Sequence, residues 1–234
     1  IGTTVSVLPY RSPLETARAF ANVDQLSRGR CILGVGSGWA AEEFRILGVP
    51  FEHRGAMTTE YLEAIKALWA TDVASFHGEF VSFDEVHTAP RPVQTPHPPI
   101  WVGGNSVRSM RRAIQQGTAW HPIRPTVSDF VNVMLPAFVE LSERLELPMP
   151  DLCPRIRLRV TDTPRPNDVR LAGEGSLDQI RSDLATFEEL GCTWILLDTY
   201  HDYLVDELAD PQRSWDMFEA VATEIFDLST ESLR

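Results

Sequence analysis

The chain has 234 residues, 43% of them hydrophobic and 23% charged, and a formal net charge of −12. That length suits one large core or at most two small ones, and the composition is that of an ordinary globular protein. The acidic balance argues against a nucleic-acid face, and no apolar run approaches the roughly 20 residues that span a bilayer. Cys31, Cys153 and Cys192 lie far apart with no C-x-x-C pair. They read as reduced thiols in a cytoplasmic protein, with no disulfide framework and no metal site. The start lacks the basic-then-apolar layout of a signal peptide. It has no initiator Met and opens within an apparent strand, so a fragment of a longer chain is expected.

Strands and helices alternate along the chain. Residues 3–8 form a β-rich run, and Pro13 then opens a helix over 14–26 that Gly29 stops. Residues 31–36 are a short apolar strand, and a short helix over 40–47 ends at Gly48. Thr58 or Thr59 is placed to cap a helix over 60–70. Residues 75–86 read as a strand pair or extended loop around Gly78, and the proline-rich stretch 90–99 as an extended surface run. Residues 100–104 form a third strand ending in a glycine pair, after which Ser106 caps a helix over 107–116 closed by Gly117. Residues 118–120 are a minimal fourth strand, and 128–145 a helix kinked at Pro136. A strand over 155–161 precedes a helix that opens on a Ser176–Gln179 capping box and ends at Gly191. Residues 194–198 form the last strand, before a final helix over 212–228. Six short apolar strands alternating with helices indicate a parallel sheet covered by helices, either doubly wound or closed into a barrel.

Several motifs could carry chemistry. The Gly34–Gly36–Gly38 run between a strand and a helix is either a ligand-approach loop or a tight turn. It lacks the Gly-Lys-Ser/Thr of a nucleotide P-loop and the spacing of a dinucleotide fingerprint. Gly103, Gly104, Asn105 and Ser106 bring free amides and two polar side chains to one helix start, which suits a phosphate or carboxylate. Arg108, Arg111 and Arg112 either add positive field there or form a solvated face. His121, at a strand end between Trp120 and Pro122, suits proton transfer or a substrate contact, or is a structural loop histidine. Asp198 is a site residue or a helix cap, and Glu42 and Glu43 need no reason beyond the helix dipole. No G-x-S-x-G elbow is present.

Taken in order, Leu8-Pro-Tyr-Arg-Ser-Pro13, Asp24-Gln-Leu-Ser-Arg-Gly-Arg30, Leu33-Gly-Val-Gly-Ser-Gly-Trp39, Pro90-Arg-Pro-Val-Gln94, Pro98–Ser106 and Trp120-His-Pro122 resemble the luciferase-like monooxygenase family over nearly the whole chain. The resemblance implies a single (β/α)₈ TIM-barrel domain with strands 3 to 8 present, strands 1 and 2 missing, and an insertion at about residues 50–99. Such an open remnant would expose two sheet edges, so no cooperative thermal unfolding is expected of it alone. Family members hold a flavin-type ring across the C-terminal mouth of the barrel. By resemblance Thr4-Val5 is the bulge that backs the ring, often through a non-proline cis peptide, and Val7 flanks it. Trp39 and Glu42 match positions beside the ring and its ribityl chain, Gly103, Gly104, Asn105 and Ser106 match the phosphate cradle, and His121 lies toward the substrate. The phrases around Leu8–Pro13, Trp39 and Trp101–Ser106 resemble the branch that uses coenzyme F420 for hydride transfer to or from a small organic substrate. FMN-dependent monooxygenation is the alternative, and a non-catalytic flavin-binding or inert barrel remnant the third reading. The resemblance is also compatible with a homodimer.

Overall fold

Ser12 opens the first helix, its hydroxyl accepting the Leu14 N–H at 3.2 Å just ahead of Pro13 at the first helical position. The structure is a computed structural model that describes residues 1–200, 211–227, 229, 230, 232 and 233. It divides into two units, residues 1–121 with 141–150, and residues 122–140 with 151–234.

The first unit runs β1 (Ser6–Val7), α1 (Pro13–Ser27), β2 (Leu33–Gly36), α2 (Ala41–Leu47), α3 (Arg54–Ala70), β3 (Val73–His77), β4 (Ser82–His87), β5 (Ile100–Gly103), α4 (Val107–Gln116) and β6 (Ala119–His121). Strands β1, β2, β5 and β6 lie side by side in that order, all parallel. Leu33, Val35, Ile100, Val102, Ala119 and Trp120 are at most 1% exposed, as strands covered on both faces must be. Gly34 is obligatory in this sheet, because a Cβ there would stand 1.7 Å from the Thr3 carbonyl oxygen. The expected strand over 3–8 shrinks to Ser6–Val7, since the chain bends at Thr4 ahead of a cis Thr4–Val5 peptide.

Thr58 and Thr59 do not cap α3. Their hydroxyls donate back to the carbonyls of Arg54 and Gly55 at 2.6 and 3.2 Å, the mid-helix habit of threonine, and the helix starts at Arg54. Glu60 instead accepts the N–H groups of Glu79, Phe80 and Val81 and so fixes the turn of the antiparallel β3–β4 hairpin. The proline-rich return is not uniformly extended, because Ala89–Pro90 and Thr95–Pro96 are cis. The buried Asp24 carboxylate accepts the Val93 and Gln94 N–H groups and the Gln94 side-chain amide, at 2.7 to 3.0 Å. Two strings of the resemblance therefore bind each other.

The second unit opens with α5 (Val127–Asp129), capped by Thr126, and a π-helical stretch over Phe130–Met134 leads into α6 (Leu135–Leu145), whose residues from Leu141 on count with the first unit. The irregularity expected at Pro136 is thus taken up just before it, where a carbonyl loses its N–H partner. Then follow β7 (Asp151–Leu152), β8 (Arg155–Arg157), β9 (Arg159–Val160), β10 (Glu174–Gly175), α7 (Leu177–Glu189), β11 (Leu196–Asp198), α8 (Pro211–Glu224), β12 (Phe226–Asp227) and β13 (Ser232–Leu233). The single strand expected over 155–161 is two, because the Leu158 N–H turns to the Asp198 carbonyl while Arg159 bonds Gly173. β8 pairs with β11 and β9 with the short β10, all parallel. The Ser176–Gln179 capping box forms as expected. The final helix ends at Glu224 because Phe226–Asp227 pairs antiparallel with Ser232–Leu233; its expected end, Leu228, lies outside the described residues.

Asp198 is spent on structure. It accepts from Arg155 at 2.7 and 2.9 Å and from the Tyr200 N–H at 3.0 Å. Asp183, 3% exposed, is locked bidentately by Arg170 and also accepts the Gly173 N–H.

Candidate functional site

The C-terminal ends of β1, β2, β5 and β6 meet within the first unit, and their register decides which side chains face one another. Val7 stands beside Gly36, and Gly103 beside His121. A Cβ on Gly36 would lie 2.7 Å from Val5 Cγ2, and one on Gly103 would lie 2.9 Å from Val5 Cγ1. Real Cβ atoms do not approach so closely, so Val5 occupies space that two glycines on neighbouring strands leave open. It remains 36% exposed. Gly36 therefore admits the side chain of Val5, just ahead of β1, in the first instance, an outcome the motif alone did not distinguish from ligand approach. Gly38 repeats the device. With φ at +77° it turns the chain, and a Cβ there would meet Val7 and Phe44, each at 2.8 Å.

His121 is 2% exposed, and its Nε2 lies 2.8 Å from Thr4 Oγ1. Its ring centroid is 5.4 Å from that of Trp101. The Gly104 N–H donates to the His121 carbonyl at 3.2 Å, and Trp120 Nε1 donates to the Gly104 carbonyl at 2.9 Å. Thr4, Val5, Gly103, Gly104 and His121 are thus brought into one cluster.

Ser106 caps α4, its hydroxyl accepting the Ser109 N–H at 3.2 Å, and both Asn105 and Ser106 are exposed. The first turn of α4 presents N–H groups with no helical partner, which favours an anion there. Trp39, 87% exposed, and Glu42, exposed in the first turn of α2, make no hydrogen bond or ring contact among the described residues. The structure does not tie them to the Val5 cluster. Neighbouring Glu43 accepts from the Tyr10 hydroxyl at 2.6 Å. Tyr10 is pushed up to about 12, first by burial and then by that carboxylate, which keeps it a neutral phenol.

A cavity of about 640 Å³ opens beside Ser106, between the start of α3 and the face of α4. Arg54, Arg108, Arg111 and Arg112 line it, against one carboxylate, Glu52. Arg108 and Arg111 are exposed as a solvated face would be, but Arg112 is 9% exposed. Their spacing of three and four residues, which puts all three on one helix face, was the available signal. Among the described residues no group of three or more His, Cys, Asp or Glu could hold a metal, and no helix is long and apolar enough to cross a membrane.

Residues 1–166 match the family model described as luciferase-like monooxygenase. Over 113 residues the chain is 39% identical to the FMNH(2)-dependent dimethylsulfone monooxygenase of Pseudomonas putida, covering 47% of this chain and 31% of that protein. The matched stretch is thus about a third of that curated relative's length. Monooxygenase RslO1 from Streptomyces bottropensis superposes with a TM-score of 0.74 at 18% identity, covering 94% of this chain and 75% of that one. The coenzyme F420 dependent tetrahydromethanopterin reductase from Methanopyrus kandleri gives a TM-score of 0.73 at 14% identity, with 95% and 81% covered. At such identities these likenesses establish the fold, an α/β architecture of the luciferase-like TIM-barrel type.

Proposed function

Because this chain belongs to the luciferase-like monooxygenase family, we propose that it is an oxidoreductase carrying a flavin-type cofactor across the C-terminal ends of β1, β2, β5 and β6. The finer reading is coenzyme F420, with hydride transfer to or from a small organic substrate. The observation that carries the site is Val5, held half-exposed over the gap that Gly36 and Gly103 leave. An exposed apolar side chain beside an exposed polar helix start is the donor set a flat ring with a phosphate tail needs, so the residues fit the group.

Val5 and Val7 supply the apolar surface against one ring face, and Trp39 shields an edge from water. Glu42 accepts from the hydroxyls of the ribityl chain. Gly103 and Gly104 let the backbone come close, while the N–H groups after Asn105 and Ser106 bind the phosphate. The bound deazaflavin supplies a carbon that gives or takes a hydride. The buried His121 acts through Thr4, whose hydroxyl lies 2.8 Å from its Nε2. Thr4 Oγ1 can pass or hold a proton for the substrate while His121 balances it, which makes His121 a positioning residue.

FMN-dependent monooxygenation is the second reading, favoured by the 39% identity to the FMNH(2)-dependent enzyme of P. putida. Fluorescence titration of the protein with F420 and, separately, with FMN decides between them. Preferential F420 binding is expected; preferential FMN binding moves the assignment to the monooxygenase, and binding of neither removes the site.

A further inference from the structure

We propose that the arginine-lined cavity beside α4 is a second anion site, taking a group with two or more negative charges that lies beyond the cofactor phosphate. Its position next to that phosphate rests on the function proposed above; its charge does not. Four arginines line the cavity against the single carboxylate residue Glu52, a local excess of three positive charges (four minus one). This occurs in a chain whose 33 Asp and Glu outnumber 21 Lys and Arg, so carboxylates to neutralise it were plentiful. Among the described residues none of the four makes an ion pair.

Arg112 is the decisive member. Buried to 91% (exposure 9%), it donates from Nε to Thr59 Oγ1 at 3.1 Å and from Nη2 to the Gly55 carbonyl at 2.8 Å. Both acceptors are neutral, so they orient the guanidinium without discharging it. Its Nη1 has no hydrogen-bond partner among the described residues, and burial pulls its pKa down from the usual arginine value. A charge held in this way gains from an anion that enters from the cavity. Arg54 is held likewise, with Nη1 on the Phe51 carbonyl at 2.9 Å and its guanidinium 3.8 Å over the Phe51 ring. Arg108 repels Arg111 and Arg112, three and four residues on, and an anion between them relieves that repulsion. The cavity volume falls in the range of ligand pockets and exceeds what one phosphate fills.

Two sources carry this chemistry. F420 bears carboxylates beyond its phosphodiester, whereas FMN ends at its phosphate; a separate polyanion could also enter. The test is calorimetric titration of the parent, Arg112→Gln, and a double variant Arg108→Glu with Arg111→Glu, whose exposed positions leave the fold intact. The probes are F420, the same deazaflavin cut back to its phosphate, FMN, and inorganic pyrophosphate. Tail-bearing F420 should bind the parent about tenfold tighter than the cut-back form, and both variants should erase that difference, with the cut-back form and FMN reporting any separate loss at the phosphate itself. Pyrophosphate binding that the double variant abolishes, with no effect of the tail, also supports the site and assigns it to a separate polyanion. If pyrophosphate binds in this way while no flavin binds, the proposed function falls and the anion site stands. Absence of both the tail effect and pyrophosphate binding, or variants that change neither, overturns it.

Discussion

Thr4 Oγ1 lies 2.8 Å from Nε2 of His121, a hydrogen bond between residues 117 positions apart that joins the segment before β1 to the end of β6. The imidazole is buried, whereas Thr4 is half-buried. Thr4→Val and His121→Ala should therefore be coupled by about 1 kcal/mol in a double-mutant cycle read by native-state hydrogen exchange. His121→Gln, which keeps a polar contact, should recover most of the stability. If the imidazole positions Thr4 for turnover, His121→Gln should still lower kcat while leaving cofactor affinity close to that of the parent.

The space around Val5 makes a second prediction. Gly36→Ala puts a methyl 2.7 Å from Val5 Cγ2. It should cost about 1–3 kcal/mol in local stability, read by native-state hydrogen exchange, and weaken cofactor binding. Adding Val5→Ala should recover the stability but not the binding, since it removes the surface proposed to back the ring. Additive losses in the double variant would remove Val5 as the cause.

Asp24 holds the proline-rich return through three accepted hydrogen bonds. Asp24→Ala leaves the Val93 and Gln94 N–H groups without that acceptor and should cost about 2–4 kcal/mol. Hydrogen exchange should speed up at Val93 and Gln94 first, ahead of the strands.

Burial pushes the Cys153 thiol up to about 11 and the Cys192 thiol up to about 12. At pH 8 the thiolate fraction of Cys153 is then about one in a thousand, so iodoacetamide should label it slowly in the native protein and fast in urea. The sign for stability follows. Both groups stay protonated in the native state, whereas the unfolded chain ionises from about pH 8.5. Their contribution is whole below that pH and is lost as pH rises toward 11 and 12. Resistance to proteolysis measured between pH 7 and 10, corrected for the protease's own pH dependence, should fall over the upper part of that range.

How much was legible in the sequence depended on whether the signal was local. Ser106 with Gly117, and Ser176 with Gln179, bound their helices where expected because a cap bonds within three or four residues. Thr58 and Thr59 misled, since the same hydroxyl that caps a helix start also bonds backward inside one. β10 escaped notice: Glu174–Gly175 is two residues long and exists only by pairing with Arg159–Val160. In the site, the cis Thr4–Val5 peptide followed from the family resemblance, and the glycines could be read directly. That Val5 fills the space over Gly36 and Gly103 depends on the register of three strands, and the burial of Arg112 depends on where α3 lies. Neither is written in neighbouring residues.

The fit of Val5 against Gly36 and Gly103 bears on how this lineage can drift. Neither glycine can enlarge alone, because a Cβ at either would collide with the valine. Shrinking position 5 first is the open route, after which Gly36 can accept a methyl group, and Gly103 can do so only if the Val35 carbonyl, 3.3 Å from the added carbon, also gives way. Across many descendants the three sites should change as a linked set, with position 5 small whenever position 36 or 103 is not glycine. A collection of variants selected only for folding would reveal that linkage without any knowledge of the ligand.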